Sequence, residues 1–214
     1  MTDWSDFYRG RRVLVTGHTG FKGSWLVVWL RELGADVLGY ALPPPTEPSL
    51  YAEARIGELL VDESIADIRD ADRLTTFVRS VQPEVVFHLA AQPLVRRSYR
   101  EPRMTWETNV LGTINLMEAV RATPGVRVCQ IITSDKCYEN AGQVCAFRET
   151  DAMGGHDPYS SSKGAAEIAV AAWRRSFFAT GTSLASARAG NVIGGGDWAE
   201  DRIIPDCVRR IVAR

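Results

Sequence analysis

Tyr159 and Lys163 stand four residues apart in an alanine-rich stretch whose spacing predicts a helix over 158–179. At that interval both side chains share one helical face and can reach one pocket. A lysine ammonium beside a phenol favours the phenolate and can bring tyrosine's ordinary pKa of about 10 towards neutrality, which makes the phenol a usable base. Upstream, Ser134, Asp135 and Lys136 follow an apolar run read as a strand over 126–133. Ser134 offers a hydroxyl to hold a reacting alcohol, and Asp135 and Lys136 set a carboxyl and an amine beside it. The plainer readings stay open: Lys136 as a surface cation, Asp135 as a local hydrogen-bond acceptor.

A second constellation lies near the start. Residues 16–23 read Thr-Gly-His-Thr-Gly-Phe-Lys-Gly, with Gly17, Gly20 and Gly23 at three-residue spacing and Thr19, Phe21 and Lys22 between them. Where a strand turns into a helix, such glycines let backbone approach a pyrophosphate, and the new helix offers unpaired N–H groups and its positive end. The alternative is an ordinary strand-to-helix turn. The acid expected on an adenosine ribose is missing from 38–42, Leu-Gly-Tyr-Ala-Leu, and so is any arginine that would hold a 2′-phosphate.

The elements that must position these groups follow from periodicity. Strands are expected at 12–16, 36–40, weakly at 59–61, and at 84–88, 126–133 and 183–187. Helices are expected at 23–33, 70–81, 105–121 and 158–179, with another begun after Pro205, and the prolines at 43, 44, 45 and 48 force a loop. Strands alternating with helices of this length imply parallel βαβ units, hence a doubly wound parallel α/β sheet of the Rossmann type. His88, at a buried strand end, reads as structural.

Composition excludes several classes. The 25 basic and 26 acidic residues give a net charge of −1, with no basic run suited to nucleic acid. Cys129, Cys137, Cys145 and Cys207 lack zinc spacing and read as reduced thiols. No leader or span is visible, so a cytoplasmic location is expected.

The glycine spacing and the Ser134, Tyr159, Lys163 set resemble the extended short-chain dehydrogenase/reductase superfamily. Three longer stretches, TSDKCYEN at 133–140, GGHDPY at 154–159 and RAGNVIGGGDW at 188–198, resemble its sugar-nucleotide 4,6-dehydratases, especially those acting on CDP-glucose, where lysine stands in place of a glutamate after the Asp. The resemblance implies NAD as cofactor and dehydration of CDP-D-glucose to CDP-4-keto-6-deoxy-D-glucose, by internal oxidation, loss of water and re-reduction, in deoxysugar biosynthesis for lipopolysaccharide. It implies cofactor contacts from Gly17, Thr19, Gly20, Phe21, Lys22, Gly23, Asp67, Ile68, Leu89, Ala90, Ala91, Tyr159 and Lys163. Gln92, Arg188 and Asn191 would face the nucleotide-sugar, with a solvated turn carboxylate or the N-cap of the next helix as the alternative for Asp67 and a structural ion pair for Arg188. The same resemblance implies a homodimer or homotetramer. It also implies a smaller substrate-holding region, begun only after about residue 190, with residues 1–214 forming the NAD-binding domain. Competing readings are a 4-epimerase or decarboxylase of the superfamily, which needs no paired acid and base, and a non-catalytic dinucleotide-binding protein.

Overall fold

The structure, a computed structural model, describes residues 4–140, 142, 144 and 146–213; Cys145 lies outside them. Six strands, β1 (Arg12–Thr16), β2 (Asp36–Ala41), β3 (Asp62–Ile65), β4 (Val85–His88), β5 (Val128–Ser134) and β6 (Ser183–Ala189), form one sheet in the order β3-β2-β1-β4-β5-β6. Every pairing is parallel. The doubly wound sheet expected from the alternating periodicities is therefore the one found, and the order in which strands are added reverses between β1 and β4, where such sheets open a crevice beyond the strand ends.

Side-chain alternation along β1 divides the core. Val13 and Val15 pack with Val27 and Leu30 of α2 (Phe21–Glu32) on one face. On the other face Leu14 joins Leu74 and Val78 of α4 (Ala71–Val81), Leu116 and Val120 of α7 (Gly112–Arg121) and Val170 of α8 (Pro158–Phe177). Strands covered on both faces read as continuous apolar runs, which is why β1 and β4 were legible. Smaller helices are α1 (Trp4–Tyr8), α3 (Leu50–Glu53), α5 (Val95–Arg100) and α6 (Pro102–Trp106), and α9 (Ile203–Val212) follows β6.

Two expectations needed correction. The weak strand placed at 59–61 belongs instead to Asp62–Ile65, and Ile56–Leu59 is a 3-10 turn. The apolar residues there serve the turn, with Ile56, Leu59 and Leu60 packed on the core, while the true strand is an edge and carries Asp62, Glu63 and Ser64, as edges commonly do. The single helix expected over 105–121 starts earlier and is interrupted: α6 passes into a π-helical turn at Glu107–Leu111 before α7 begins.

Candidate functional site

At the end of β1 the chain turns through Gly17 at φ +78°, where an added Cβ would stand 2.7 Å from the amide nitrogen of Ala90. A Cβ on Gly23 would meet the carbonyl oxygen of Gly17 at 2.1 Å. Only glycine fits at either place. The loop is folded this tightly because the segment after β4 presses on it: Leu89 N donates to the Thr16 carbonyl and Ala90 N to Thr16 Oγ1. Gly20 begins α2 in an extended conformation with no side-chain cap, so the helix N-terminus presents backbone donors and the positive end of its dipole to the crevice. That is a cradle for a pyrophosphate. Thr19 contributes by anchoring: its hydroxyl donates to the Leu42 carbonyl at 2.8 Å. Lys22 follows, its pKa lowered first by burial and then by the nearby charge of Arg202.

The strap after β6 sits on the first turns of α2. A Cβ on Gly194 would lie 3.1 Å from the Phe21 ring, the Trp25 indole donates to the Gly195 carbonyl at 2.9 Å, and a Cβ on Gly196 would lie 2.8 Å from Leu50. Gly196, at φ +79° and against Leu50, is the position that requires glycine; Gly194 is tight against Phe21, and Gly195 is open. Asn191 is exposed at the start of the strap.

Tyr159 and Lys163 are both buried in the first turns of α8. Asp157 accepts from Ser160 N at 2.9 Å and Pro158 takes the first helical position, so α8 is made to begin one residue before Tyr159. Lys163, 7 % exposed, donates to the Ile132 carbonyl at 3.4 Å, and burial pulls its pKa down to about 8. The direction for Tyr159 is opposite to the sequence expectation: burial holds its pKa above 10, with Ser134 and the charge of Arg202 acting against that rise. Desolvation of the phenolate outweighs the pull of its neighbours here.

Ser134 ends β5. Its hydroxyl donates to Asp135 Oδ1 at 3.1 Å and accepts from Lys136 N at 3.2 Å, which shapes the 3-10 turn Asp135–Cys137. Asp135 and Lys136 are exposed on that turn, and Ser134 and Asp135 lie near enough to Tyr159 to act on its hydroxyl. Gly154 and Gly155 bring the following segment against α8. A Cβ on Gly155 would strike Ser160 at 2.6 Å, and one on Gly164 would meet the Gly154 and Cys137 carbonyls at 3.0 and 3.2 Å.

Other candidates are turned elsewhere. Gln92, 4 % exposed, commits its side-chain amide to Leu94 and Thr105. Arg188 points to Glu167 at 3.0 Å, the structural ion pair that was its alternative reading. Asp67 is held by Arg69 at 2.6 Å, which lowers its pKa, and Ile68 is buried against Gly112. His88 is structural: it bridges Thr16 at 2.7 Å and Thr113 at 3.0 Å, and burial pushes its pKa down to about 3.

Sequence reasoning missed three residues. Asn109, 1 % exposed in the π turn, accepts from Gln92 N and donates to the Gln92 carbonyl and to Ser162 Oγ, tying the loop after β4 to α8 beneath Tyr159. The only signal was a polar residue on an otherwise apolar helical face. His18, fully buried under the glycine loop, bonds Glu63 at 2.9 Å while its Nδ1 has no partner among the described residues. Arg202, held by Asp197 at 3.0 Å, lies near enough to Tyr159 and Lys22 to act on both. Among the described residues no group of side chains could hold a metal ion, and no helix is long and apolar enough to cross a membrane.

A doubly wound parallel sheet with a glycine cradle at its crevice and a Ser, Tyr and Lys set beside it defines a Rossmann-type nucleotide-binding fold. The chain belongs to the GDP-mannose 4,6 dehydratase family, whose pattern it matches over residues 14–212. It is 54% identical over 210 residues to CDP-glucose 4,6-dehydratase of Salmonella typhimurium, an alignment covering 95% of this chain and 58% of that protein. It is 35% identical over 164 residues to UDP-glucose 4-epimerase of Mycolicibacterium smegmatis, covering 76% and 51%. Among solved structures, UDP-glucose 4-epimerase of Thermotoga maritima with UDP-glucose superposes with a TM-score of 0.81 at 25% identity, over 94% of this chain and 63% of that one. The chain thus spans little more than half the length of the relatives it matches.

Proposed function

We propose that the full-length protein is an NAD-dependent sugar-nucleotide 4,6-dehydratase that converts CDP-glucose to CDP-4-keto-6-deoxy-glucose. The observation that carries this reading is the Ser134-Asp135-Lys136 turn opening beside Tyr159, supported by the 54% identity to a dehydratase of that name. NAD would lie in the cradle of Gly17, Gly20 and Gly23, beside Leu89, Ala90 and Ala91 and reaching Lys163. When bound, it supplies a reversible two-electron acceptor, taking hydrogen with its electron pair from sugar carbon 4 and giving it back at carbon 6.

The chain's own residues handle protons. Tyr159, as phenolate, takes the proton of the hydroxyl at carbon 4, while Ser134 holds that oxygen and Lys163 places a positive charge behind the phenol. The resulting ketone acidifies the hydrogen at carbon 5. Lys136 removes it, and Asp135 gives its proton to the hydroxyl leaving carbon 6, so one water departs. The proton is returned to carbon 5 as carbon 6 is reduced, and the net change is loss of water with no net oxidation. Asn191 would meet the diphosphate, and residues from about 190 onward would begin the substrate-holding region.

NAD is preferred over NADP because the end of β2 presents Tyr40 and Leu42 and no basic side chain. The protein works in the cytoplasm, in deoxysugar synthesis for surface polysaccharide, as an oligomer. In that oligomer α6 to α8, with Trp106, Leu111 and Ile168 exposed, supply the subunit contact.

The test is incubation of the full-length protein with NAD and a panel of nucleotide-glucoses. An alkali-sensitive 4-keto-6-deoxy product from CDP-glucose supports the proposal. A product retaining its carbon 6 hydroxyl and inverted at carbon 4 would instead make it an epimerase.

A further inference from the structure

The proposed chemistry leaves one buried ion pair unused. Glu167, 5 % exposed, lies one turn beyond Lys163 on α8 and accepts from the Thr133 hydroxyl, the Ser186 hydroxyl at 2.9 Å and Arg188 Nη2 at 3.0 Å. Burial opposes its ionisation, yet these donors hold its pKa below the ordinary carboxylate value. Stability alone does not account for such a pair, since well-packed apolar side chains of the same volume often serve as well.

The rest of the guanidinium shows what the pair does. Arg188 Nη1 donates to the Tyr138 hydroxyl at 2.7 Å and to the Glu149 carbonyl at 3.3 Å, and Arg188 Cζ lies 4.8 Å from the centre of the Tyr138 ring. That ring also stacks on Phe147 with centroids 4.6 Å apart. Tyr138 is the residue immediately after the turn that carries Asp135 and Lys136. Both of those side chains are exposed, so their aim is set by the two ends of the turn, Ser134 on β5 and Tyr138. Tyr159 and Lys163 need no such help, because the backbone of α8 places them.

We infer that Arg188 is a positioning residue for the elimination step: braced by Glu167, it fixes Tyr138 and thereby the aim of Asp135 and Lys136, without touching substrate. The inference rests on the dehydratase reading and separates the two halves of that reaction. Oxidation at carbon 4 depends on α8, whereas removal of the carbon 5 proton depends on the turn that Arg188 holds.

The experiment uses the full-length enzyme with NAD and CDP-glucose, comparing wild type, Tyr138→Phe and Arg188→Lys. Tyr138→Phe keeps the ring and removes only the acceptor; Arg188→Lys keeps a cation for Glu167 and loses the fork. The expected result is cofactor reduction within about twofold of wild type, with carbon 5 proton exchange into deuterated solvent slowed about tenfold, the size of one lost hydrogen bond to a charged group. Reduced cofactor then builds up. Parallel loss of both steps, no change in either, or variants that lose the fold instead of the second step would overturn the inference. If wild type itself neither reduces the cofactor nor releases water, the dehydratase reading falls, and that failure is read before any variant is examined.

Discussion

Burial acts in opposite senses on the two ionisable groups of the first turns of α8, raising Tyr159 and lowering Lys163. Both shifts disfavour the charged form. Tyr159→Phe should abolish cofactor reduction on adding substrate, a loss of about 10²-fold or more. Lys136→Ala should leave that first step, accumulate reduced cofactor, seen as near-ultraviolet absorbance, and stop carbon 5 exchange with deuterated solvent. Near-normal turnover by the alanine variant would remove Lys136 from the role of base. Gly23→Ala tests the cradle: with 2.1 Å between its Cβ and the Gly17 carbonyl, the loop must open, and calorimetry should show dinucleotide affinity reduced by tenfold or more, since about 1.4 kcal/mol of strain already gives that factor. Unchanged affinity would move the cofactor elsewhere. At this scale the sequence was informative where a residue's type dictates its place, as with the glycines, Tyr159 and Lys163. It misled for Gln92 and Arg188, because nothing in a linear order says whether a polar side chain at a strand end turns to the crevice or to a buried partner.

Among the elements, the turn at Glu107–Leu111 departs furthest from the expected pattern. A helix-period reading runs straight through 105–121, yet the extra residue in the turn rotates Asn109 inward to meet Gln92 and Ser162, the kind of use to which π turns are often put. Asn109→Ala leaves the Gln92 amide and carbonyl and the Ser162 hydroxyl short of a partner. A loss of about 2–3 kcal/mol is expected in denaturant unfolding; less than ~0.5 kcal/mol would show that the loop after β4 is held by other means. The edge strand β3 was misplaced for a related reason: Glu63 sits in it to receive His18 and Tyr51, and a charge there weakens the apolar signal on which strand recognition relies. α5 escaped notice because three of its six residues are arginine. The central strands and α4, with its Asp70 cap on Arg73 N, were plain because cap, period and burial agree.

For the whole molecule, the deepest polar link crosses the sheet through His88, which joins β1 to α7 by way of Thr16 and Thr113. Its pKa is about 3 in the folded chain against 6.5 unfolded. The unfolded state therefore binds the proton first, and this contribution to stability is fully present above the unfolded value and is lost as pH falls from about 6.5 towards 3, at up to about 1.4 kcal/mol per unit. His18, lowered in the same direction, adds to the trend. Thermal melts across that range should fall steeply, and His88→Gln should flatten the slope while lowering stability at neutral pH. An equal slope in the variant would assign acid sensitivity to the carboxylates.

The glycine strap carries a consequence for how chains of this family can be recombined. Residues 194–196 are shaped by Phe21, Trp25 and Leu50, positions lying about 145–175 residues earlier in the chain. The strap after β6 and the first turns of α2 are therefore one packing unit split across the sequence. A chimera that imports the segment after β6 from a relative, but keeps this α2, would place foreign side chains where a Cβ is tight at position 194 and has no space at position 196. Transplanting both halves together should give a working strap. Transplanting either alone should yield a protein whose sheet is intact and whose crevice does not close.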